Sequence, residues 1–110
     1  GKFAGRAIRG TSTSIEKSHF RLTSAPTPED VRPVPVLIKS LEHVKKSWVR
    51  DEDYEYAKDQ LRAIRQDLTV QHVQNKFAVR VYETHARIAI EADDYEEIRV
   101  CMSVLDNIRQ

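Results

Sequence analysis

Cysteine, glycine and aromatic residues are all scarce in this chain. Its 110 residues include one cysteine and three glycines, and aromatic residues make up 7% of them. The single cysteine, Cys101, cannot form an internal disulfide, which suits a reducing compartment. Few glycines and few aromatic residues among many charged ones are typical of a soluble helical protein.

Long apolar runs are missing as well. None approaches the roughly 20 residues that a helix needs to cross a bilayer, so we expect no membrane span. The first residues, GKFAGRAIRGTSTS, are polar and lack the apolar centre of a signal peptide, so we expect no such peptide. A chain of 110 residues has the length of one small domain or of a part of a larger one.

The motifs of common enzyme classes do not occur either. The sequence contains no G-x-G-x-x-G, no P-loop and no G-x-S-x-G. No histidine lies three or four residues from another histidine or from Cys101, which is the spacing that ligands on one helix need. We therefore predict no catalytic site, no metal site and no cofactor. His85 is expected to bond a neighbour at the edge of the core, and Cys101 to be a small buried hydrophobic residue.

The net charge of +1 is spread unevenly along the chain. Residues 91–97 carry five acidic side chains and no basic one. Residues 1–25 carry five basic side chains against Glu16 alone: Lys2, Arg6, Arg9, Lys17 and Arg21. Such a basic segment is either a solvated tail or a surface that meets nucleic acid or an acidic partner, and the sequence leaves both interpretations open.

Residues 1–33 form the first predicted part of the chain, an extended and basic segment. Glycines and the stretches TSTS and SAPTPEDVRPVP are loop signals. One short turn is predicted where Thr27 caps and Pro28 takes the first helical position, because Pro33 and Pro35 prevent a longer helix. Two apolar side chains are expected to pack on the helices and make the segment a strap: Phe20 and Leu22.

Residues 34–110 form the second predicted part, a helical-repeat segment. Apolar residues recur there at spacings of three and four, which predicts four amphipathic helices. The four stripes are Val34, Leu37, Leu41, Val44 and Trp48; Tyr54, Ala57, Leu61, Ile64 and Leu68; Val70, Val73, Phe77, Val81, His85 and Ile88; and Tyr95, Ile98, Cys101, Leu105 and Ile108. Asp51 or Asp53 is the predicted N-cap of the second helix.

The stretch IRQDLTVQHVQNKF, residues 64–77, joins the second and third stripes. The third stripe begins two residues after the second ends, and two residues are about 200° of rotation on an α-helix. A straight helix would bury opposite faces in turn, so we predict a break near Thr69, with Thr69 capping the third helix. One continuous helix packed on different sides is the alternative. Asp67 is expected to bond the first amides of the third helix and to pair with an arginine.

Short connections between helices favour antiparallel neighbours. The stretch HARIAIEADDYEEI, residues 85–98, has the texture of a tetratricopeptide-type turn, although the usual glycine and a second copy are missing. The predicted fold is therefore all-α, with antiparallel helical hairpins in a tetratricopeptide-like α-solenoid and an extended N-terminal strap; a closed bundle is the alternative. We expect residues 34–110 to be an incomplete domain that continues beyond residue 110.

Three stretches resemble the SAC/GANP proteins in order and spacing. They are EKSHFRLTSAPTPEDVRPVPVL, QLRAIRQDLTVQHVQNKF and VYETHARIAIEADDYEE, within a resemblance that covers roughly residues 10–105. The most similar branch is that of leukocyte-receptor-cluster-member-8 and its fungal counterpart.

The resemblance implies a non-enzymatic, nuclear helical scaffold that couples transcription to mRNA processing and export; an additional cytoplasmic location is left open. It implies a second PCI-domain subunit and a small acidic Sem/DSS-type protein as partners, chiefly through a winged-helix part that is not in this chain. The alternative function is direct RNA binding. Six residues are the candidate contacts for a partner or RNA: Arg21, Arg32, Arg62, Arg65, Gln66 and Arg80.

Overall fold

The computed structural model describes residues 7–109, so Lys2 and Arg6 of the predicted basic segment lie outside the described residues. Residues 7–109 contain four α-helices, one short 3₁₀-helix and no strand, which confirms the all-α prediction. The helices are α1 (Val34–Asp51), α2 (Tyr54–Val70), α3 (Lys76–Glu91) and α4 (Tyr95–Ile108), and the 3₁₀-helix is Pro28–Asp30.

Two compact units make up the chain, Gly1–Val73 and Gln74–Gln110. In the first unit α1 packs against α2, and in the second α3 packs against α4. We call them the N-terminal and the C-terminal unit and describe each by itself. The separate division at residue 33, into an extended segment and a helical-repeat segment, stays a prediction.

Helix α1 begins after Pro33, and its start suits proline because the first amides of a helix have no partner within the helix. The predicted stripe is the buried face, since Leu37, Leu41 and Val44 are each at most 1% exposed. The helix ends at Glu52, whose φ of 50° is left-handed and redirects the chain into α2.

Asp53 rather than Asp51 caps α2. The Asp53 side chain accepts a hydrogen bond from the amide of Tyr56 at 3.2 Å, whereas the exposed Asp51 pairs with Arg50. Along α2 the predicted apolar face is buried: Ala57, Leu61, Ile64 and Leu68. The cap fixes where the helix starts, and the apolar face fixes which side meets α1.

The predicted break between the second and third helices exists, but it lies at residues 71–75. The prediction that Thr69 caps α3 is wrong, because Thr69 lies inside α2 and its hydroxyl donates to the carbonyl of Arg65 at 2.9 Å. Asn75 is the cap, and its side chain accepts from the amide of Ala78 at 3.1 Å. The sequence analysis assigns Val70 to the stripe of the third helix because of its spacing from Val73. In the structure Val70 is the last residue of α2.

In the C-terminal unit a tight turn connects α3 to α4. Asp93 takes a left-handed φ of 58°, and the Asp94 side chain accepts from the amide of Glu97 at 3.2 Å and so caps α4. His85 and Cys101, both on predicted stripes, are fully buried. Tyr95 departs from its stripe and is 74% exposed, because it lies in the first turn of α4.

The 3₁₀-helix lies where the sequence predicts a turn, with Pro28 at its first position. The Thr27 hydroxyl donates to the Asp30 carboxylate at 2.9 Å instead of capping an amide. Gly10 lies close to Val31, the residue directly after the 3₁₀-helix. A Cβ on Gly10 would meet the carbonyl oxygen of Val31 at 2.3 Å. Only glycine permits this close approach of two backbone segments.

Within residues 7–109, no helix combines the length and the apolar character that a membrane crossing requires.

The cap of α2 gives a direct test of the helix start. Asp53→Ala should lower the free energy of unfolding by about 1 kcal/mol, because it removes the acceptor of the Tyr56 amide. Urea unfolding followed by the fluorescence of Trp48, the single tryptophan, reports on the N-terminal unit. Asp51→Ala is the matched control and should have a smaller effect; an equal or larger loss there would contradict the assignment.

Candidate interaction site

A buried charge cluster of three residues anchors the segment before α1 to α2. The Asp67 carboxylate accepts from Nε of Arg32 at 2.8 Å, from the Arg32 amide at 3.3 Å and from Nζ of Lys17 at 2.7 Å. Arg32 is 0% exposed and Asp67 1%. The charge cluster thus holds one buried anion between the buried Arg32 and the partly exposed Lys17.

The guanidinium of Arg32 also bonds beyond Asp67. Its Nη1 donates to the carbonyl of Ile15 at 2.9 Å and to the hydroxyl of Ser40 at 3.2 Å. The Ser40 hydroxyl in turn donates to the Ile15 carbonyl at 2.7 Å. A rigid guanidinium with several donors can join three elements in this way, which an ammonium group cannot do with the same geometry.

A buried ion pair of this kind specifies position more than it adds stability. Taking both charges out of water costs several kcal/mol per ion, and their attraction returns that cost only when hydrogen bonds satisfy the remaining polar atoms. Here the Asp67 oxygens accept three donors. Any displacement of residues 17–32 along α2 would leave a buried charge without compensation.

The role of Asp67 therefore differs from the predicted one. An arginine does pair with it, but that arginine is Arg32, and the first amides of α3 are capped by Asn75. Asp67 lies three residues from the end of α2 with its side chain in the core, so it does not reach the next helix as an N-cap.

Other polar residues of α2 bond the backbone of the N-terminal segment. The carbonyl oxygen of the Gln60 side chain accepts from the amide of Lys17 at 3.2 Å, and the Asp59 carboxylate accepts from the amide of His19 at 3.1 Å. Gln66 donates to the carbonyl of Phe20 at 2.9 Å. Side chains of α2 thus bond backbone groups of this segment, which belongs to no β-sheet in the described residues.

Gln71, immediately after α2, extends this pattern. Its side-chain oxygen accepts from the amide of Gly10 at 3.0 Å, and its nitrogen donates to the carbonyls of Arg32 and Asp67 at 2.7 and 3.0 Å. The backbone amide of Ile8 also donates to the carbonyl of Val70 at 3.0 Å. Residues at the end of α2 therefore hydrogen-bond the segment before α1 both near Ile8 and Gly10 and at Arg32.

A groove lies between this segment and α2. Its volume is about 270 Å³. Its walls are formed by residues 17, 20–27, 30 and 31 and by Gln66, Asp67 and Val70. Phe20 is 51% exposed beside it, with Nζ of Lys17 5.9 Å from the ring centroid. Phe20 is thus less packed on the helices than the sequence predicted, while Leu22 is half-buried.

A second polar cluster lies near the start of α2, where Tyr56 meets Glu16 and His43. The Tyr56 hydroxyl donates to the Glu16 carboxylate, and Nε2 of His43 lies 2.9 Å from the Tyr56 oxygen and 3.3 Å from Glu16. Burial first, and then the hydrogen bond to Glu16, raise the pKa of Tyr56 to about 12. Hydrogen bonds from Tyr56 and His43 lower the pKa of Glu16 below its usual range.

The structure brings two of the predicted contact residues together, since Arg21 and Gln66 both line the groove. Arg32 is fully buried in the charge cluster, so its prediction as a partner or RNA contact is wrong. Arg62 and Arg65 are half-buried on α2, each with an interaction partner within the protein. Arg80 is exposed on α3 of the C-terminal unit.

Sequence reasoning missed Lys17, Phe20 and Gln71 as parts of this site, because no periodic pattern marks residues 7–33. One signal was present. Polar residues at 60, 67 and 71 recur at helical spacing directly beside the apolar stripe of α2, so a second, polar side of that helix had to be buried and bonded.

In the C-terminal unit, the described residues include one group whose side chains could ligate a metal: His85, Glu97 and Cys101. The prediction of no metal site considered ligands spaced along one helix. It did not consider ligands from two helices, which only the packing of α3 on α4 brings together.

Breaking the charge cluster at Asp67 should strongly destabilise the N-terminal unit. Asp67→Asn leaves the buried guanidinium of Arg32 uncompensated and should cost about 3–5 kcal/mol in the free energy of unfolding. Urea unfolding followed by Trp48 fluorescence measures the loss. Glu55→Gln, at an exposed site on α2 of the same unit, is the matched control and should change stability by no more than about 0.5 kcal/mol.

A double variant separates loss of the pair from loss of packing. Arg32→Met with Asp67→Leu removes both charges, so it should be more stable than Asp67→Leu alone. If the double variant were as unstable as the sum of the two single variants, the charges would not be coupled and the cluster would not position the segment.

The raised pKa of Tyr56 makes stability depend on alkaline pH. The folded value of about 12 lies above the ordinary 10.0, so between these values the folded chain keeps a proton that the unfolded chain loses. The contribution of Tyr56 to stability is therefore complete below about pH 10 and is lost as the pH rises through about 12.

A stopped-flow pH jump with tyrosinate absorbance should resolve a late ionisation that belongs to Tyr56. Tyr56→Phe should remove that transition, and Glu16→Gln should shift it towards the ordinary value without reaching it, because burial is the larger cause. Tyr95→Phe, at a 74% exposed site, is the control and should leave it unchanged. Four tyrosines titrating together near pH 10 would contradict the assignment.

Similarity to known proteins covers most of this chain. The chain matches the SAC3/GANP family over residues 18–97. It is 54% identical over 99 residues to the THP3 homolog of Schizosaccharomyces pombe, an alignment that covers 90% of this chain and 25% of that protein. It is 52% identical over 101 residues to the leukocyte receptor cluster member 8 homolog of Xenopus laevis, covering 92% of this chain and 13% of that protein.

Protein THP3 of Saccharomyces cerevisiae is 41% identical over 97 residues, covering 87% of this chain and 21% of that protein. The chain therefore spans a quarter or less of the length of these relatives. The matched residues include Arg32 and Asp67 of the charge cluster and the turn between α3 and α4, and Lys17 directly precedes the matched range. The chain belongs to the SAC3/GANP family, in the branch of the leukocyte receptor cluster member 8 and THP3 proteins.

Proposed function

We propose that this chain is a non-enzymatic helical scaffold segment of a nuclear complex that couples transcription to mRNA processing and export. The observation that carries the proposal is the match to the SAC3/GANP family over residues 18–97. The segment acts by protein–protein interaction. An additional cytoplasmic location is compatible with that role.

Two features of the fold support a scaffold. Each unit is a pair of packed helices joined by two or three residues, and such pairs are the building blocks of tetratricopeptide-like solenoids. The segment before α1 is bonded to α2 at several points, as an extended strap would be. We therefore keep the solenoid and the strap as part of the proposal.

The proposed partners are a second PCI-domain subunit and a small acidic Sem/DSS-type protein. The relatives are at least about four times as long as the matched segment, so most of their length lies outside it. Within this chain, the groove with the exposed Phe20 is the surface that best fits a protein segment, because it offers an aromatic side chain and an arginine, Arg21.

Direct RNA binding is the second candidate, since an exposed aromatic ring beside basic residues can stack a base. The charge cluster weakens it. Lys17 bonds Asp67 and the carbonyl of Asp30, and Arg32 is buried, so two of the basic residues near the groove are already engaged within the protein. The scaffold role is therefore the stronger proposal.

Two measurements distinguish the candidates. Affinity purification of the full-length protein from nuclear extract should recover proteins of mRNA processing and export equally with and without nuclease. In parallel, fluorescence anisotropy with single-stranded RNA should show no binding of this chain at micromolar concentration in physiological salt. Phosphate contacts would instead give binding that falls steeply with the logarithm of the salt concentration.

The double variant Arg62→Ala with Arg65→Ala sharpens the second measurement. Arg87→Ala with Arg99→Ala removes the same charge from exposed positions of the C-terminal unit and serves as the control. Micromolar RNA binding that the first pair abolishes and the second pair leaves intact would overturn the scaffold role in favour of RNA binding.

A further inference from the structure

Three side chains with different metal-binding atoms meet between α3 and α4. His85 comes from α3, and Glu97 and Cys101 come from α4. A ring nitrogen of His85, a carboxylate oxygen of Glu97 and the sulfur of Cys101 all lie within 4.8 Å of one another. The three residues are 0%, 1% and 0% exposed, respectively.

Local structure explains why these residues meet. Glu97 and Cys101 are four residues apart, so they lie on the same face of α4, one above the other. The Asp94 cap fixes the first turn of that helix, which contains Glu97. Cys101 packs in an apolar cluster with Tyr82, Ala86 and Leu105, and this cluster keeps α4 against the face of α3 that contains His85.

Glu97 is buried and interacts with other groups of the protein. An isolated carboxylate in an apolar interior is very costly, so a buried one is paired, is neutralised or coordinates a metal. A divalent cation held by a carboxylate, a thiolate and a neutral imidazole forms a site of zero net charge. Zinc accepts nitrogen, sulfur and oxygen ligands, whereas calcium and magnesium prefer oxygen alone.

The geometry needs only a small adjustment. Zinc bonds of about 2.0–2.3 Å in a tetrahedron place neighbouring ligand atoms about 3.3–3.7 Å apart. The three atoms lie within 4.8 Å of one another. Side-chain rotations that move them by roughly one ångström would therefore bring them to the spacing of zinc ligands. None of the three residues is without an interaction in the protein, so the metal would replace existing interactions and release the thiol proton to solvent.

We propose that His85, Glu97 and Cys101 bind one Zn²⁺ ion that ties α4 to α3. Three protein ligands leave a fourth position for a small ligand such as water. The ion joins the two helices of the C-terminal unit, because its ligands come from both of them. Its affinity falls at low pH, where protons compete for the thiolate and the imidazole.

Cobalt substitution tests the site, and the composition of the chain makes the result unambiguous. Cys101 is the only cysteine, so any thiolate-to-cobalt charge-transfer absorption must come from it. The tag-free 110-residue chain should bind one Co²⁺ with that absorption band, and one equivalent of Zn²⁺ should remove the band. Cys101→Ala should abolish the band, and His85→Gln and Glu97→Gln should each reduce Co²⁺ affinity at least tenfold.

Two exposed residues outside the cluster supply matched controls. Glu96→Gln and His72→Gln make the same chemical changes outside the cluster and should leave the band and the affinity unchanged. A band that persists with full affinity in both His85→Gln and Glu97→Gln would mean that Cys101 binds cobalt alone, and the proposal would be overturned.

A measurement on the unaltered chain covers variants that fail to fold. Refolding with one equivalent of Zn²⁺ should give a zinc adduct in native mass spectrometry and a midpoint of thermal unfolding that rises with zinc concentration. No adduct and no shift would overturn the proposal and would assign the three side chains to a hydrogen-bonded cluster without metal.

Discussion

The buried carboxylate of Asp67 is the constraint on which the N-terminal unit depends. It lies in the core with 1% exposure and is compensated by Arg32 and Lys17, which come from a mostly irregular segment that contains the short 3₁₀-helix. An irregular segment has no ladder of backbone bonds to hold it, so a charge that cannot be left unpaired determines its position. The path of the chain before α1 follows from this single requirement.

The polar side of α2 extends the same logic along the helix. Asp59, Gln60, Gln66 and Gln71 each accept from or donate to backbone groups of the preceding segment. One face of α2 thus packs on α1 by apolar contact, and a neighbouring face holds extended backbone by hydrogen bonds. The groove and the exposed Phe20 result from this arrangement, since side chains that bond backbone leave the side chains of the segment to face outward.

The C-terminal unit also contains a buried acidic side chain, in a different chemical environment. Glu97 is as buried as Asp67, and a ring nitrogen of His85 and the sulfur of Cys101 lie within 4.8 Å of its carboxylate. Nitrogen and sulfur ligands have a chemistry that permanent cations lack, because they can exchange a proton for a metal ion. The two units therefore place an acid in the core for different reasons, position in one and ligand chemistry in the other.

Sequence alone determined the helical class, the four apolar faces, the family and a joint after the second helix, because helical periodicity and local motifs are read over a few neighbouring residues. It misplaced Thr69 as a cap, since Val70 kept the apolar spacing of the third stripe although it ends α2, and it took Arg32 for a surface residue. Only the tertiary structure decided which partners Asp67 takes 35 and 50 residues away and that His85 meets Glu97 and Cys101. Electrostatic pairing and ligand geometry act between residues that are close in space, and spacing along one helix carries no record of them.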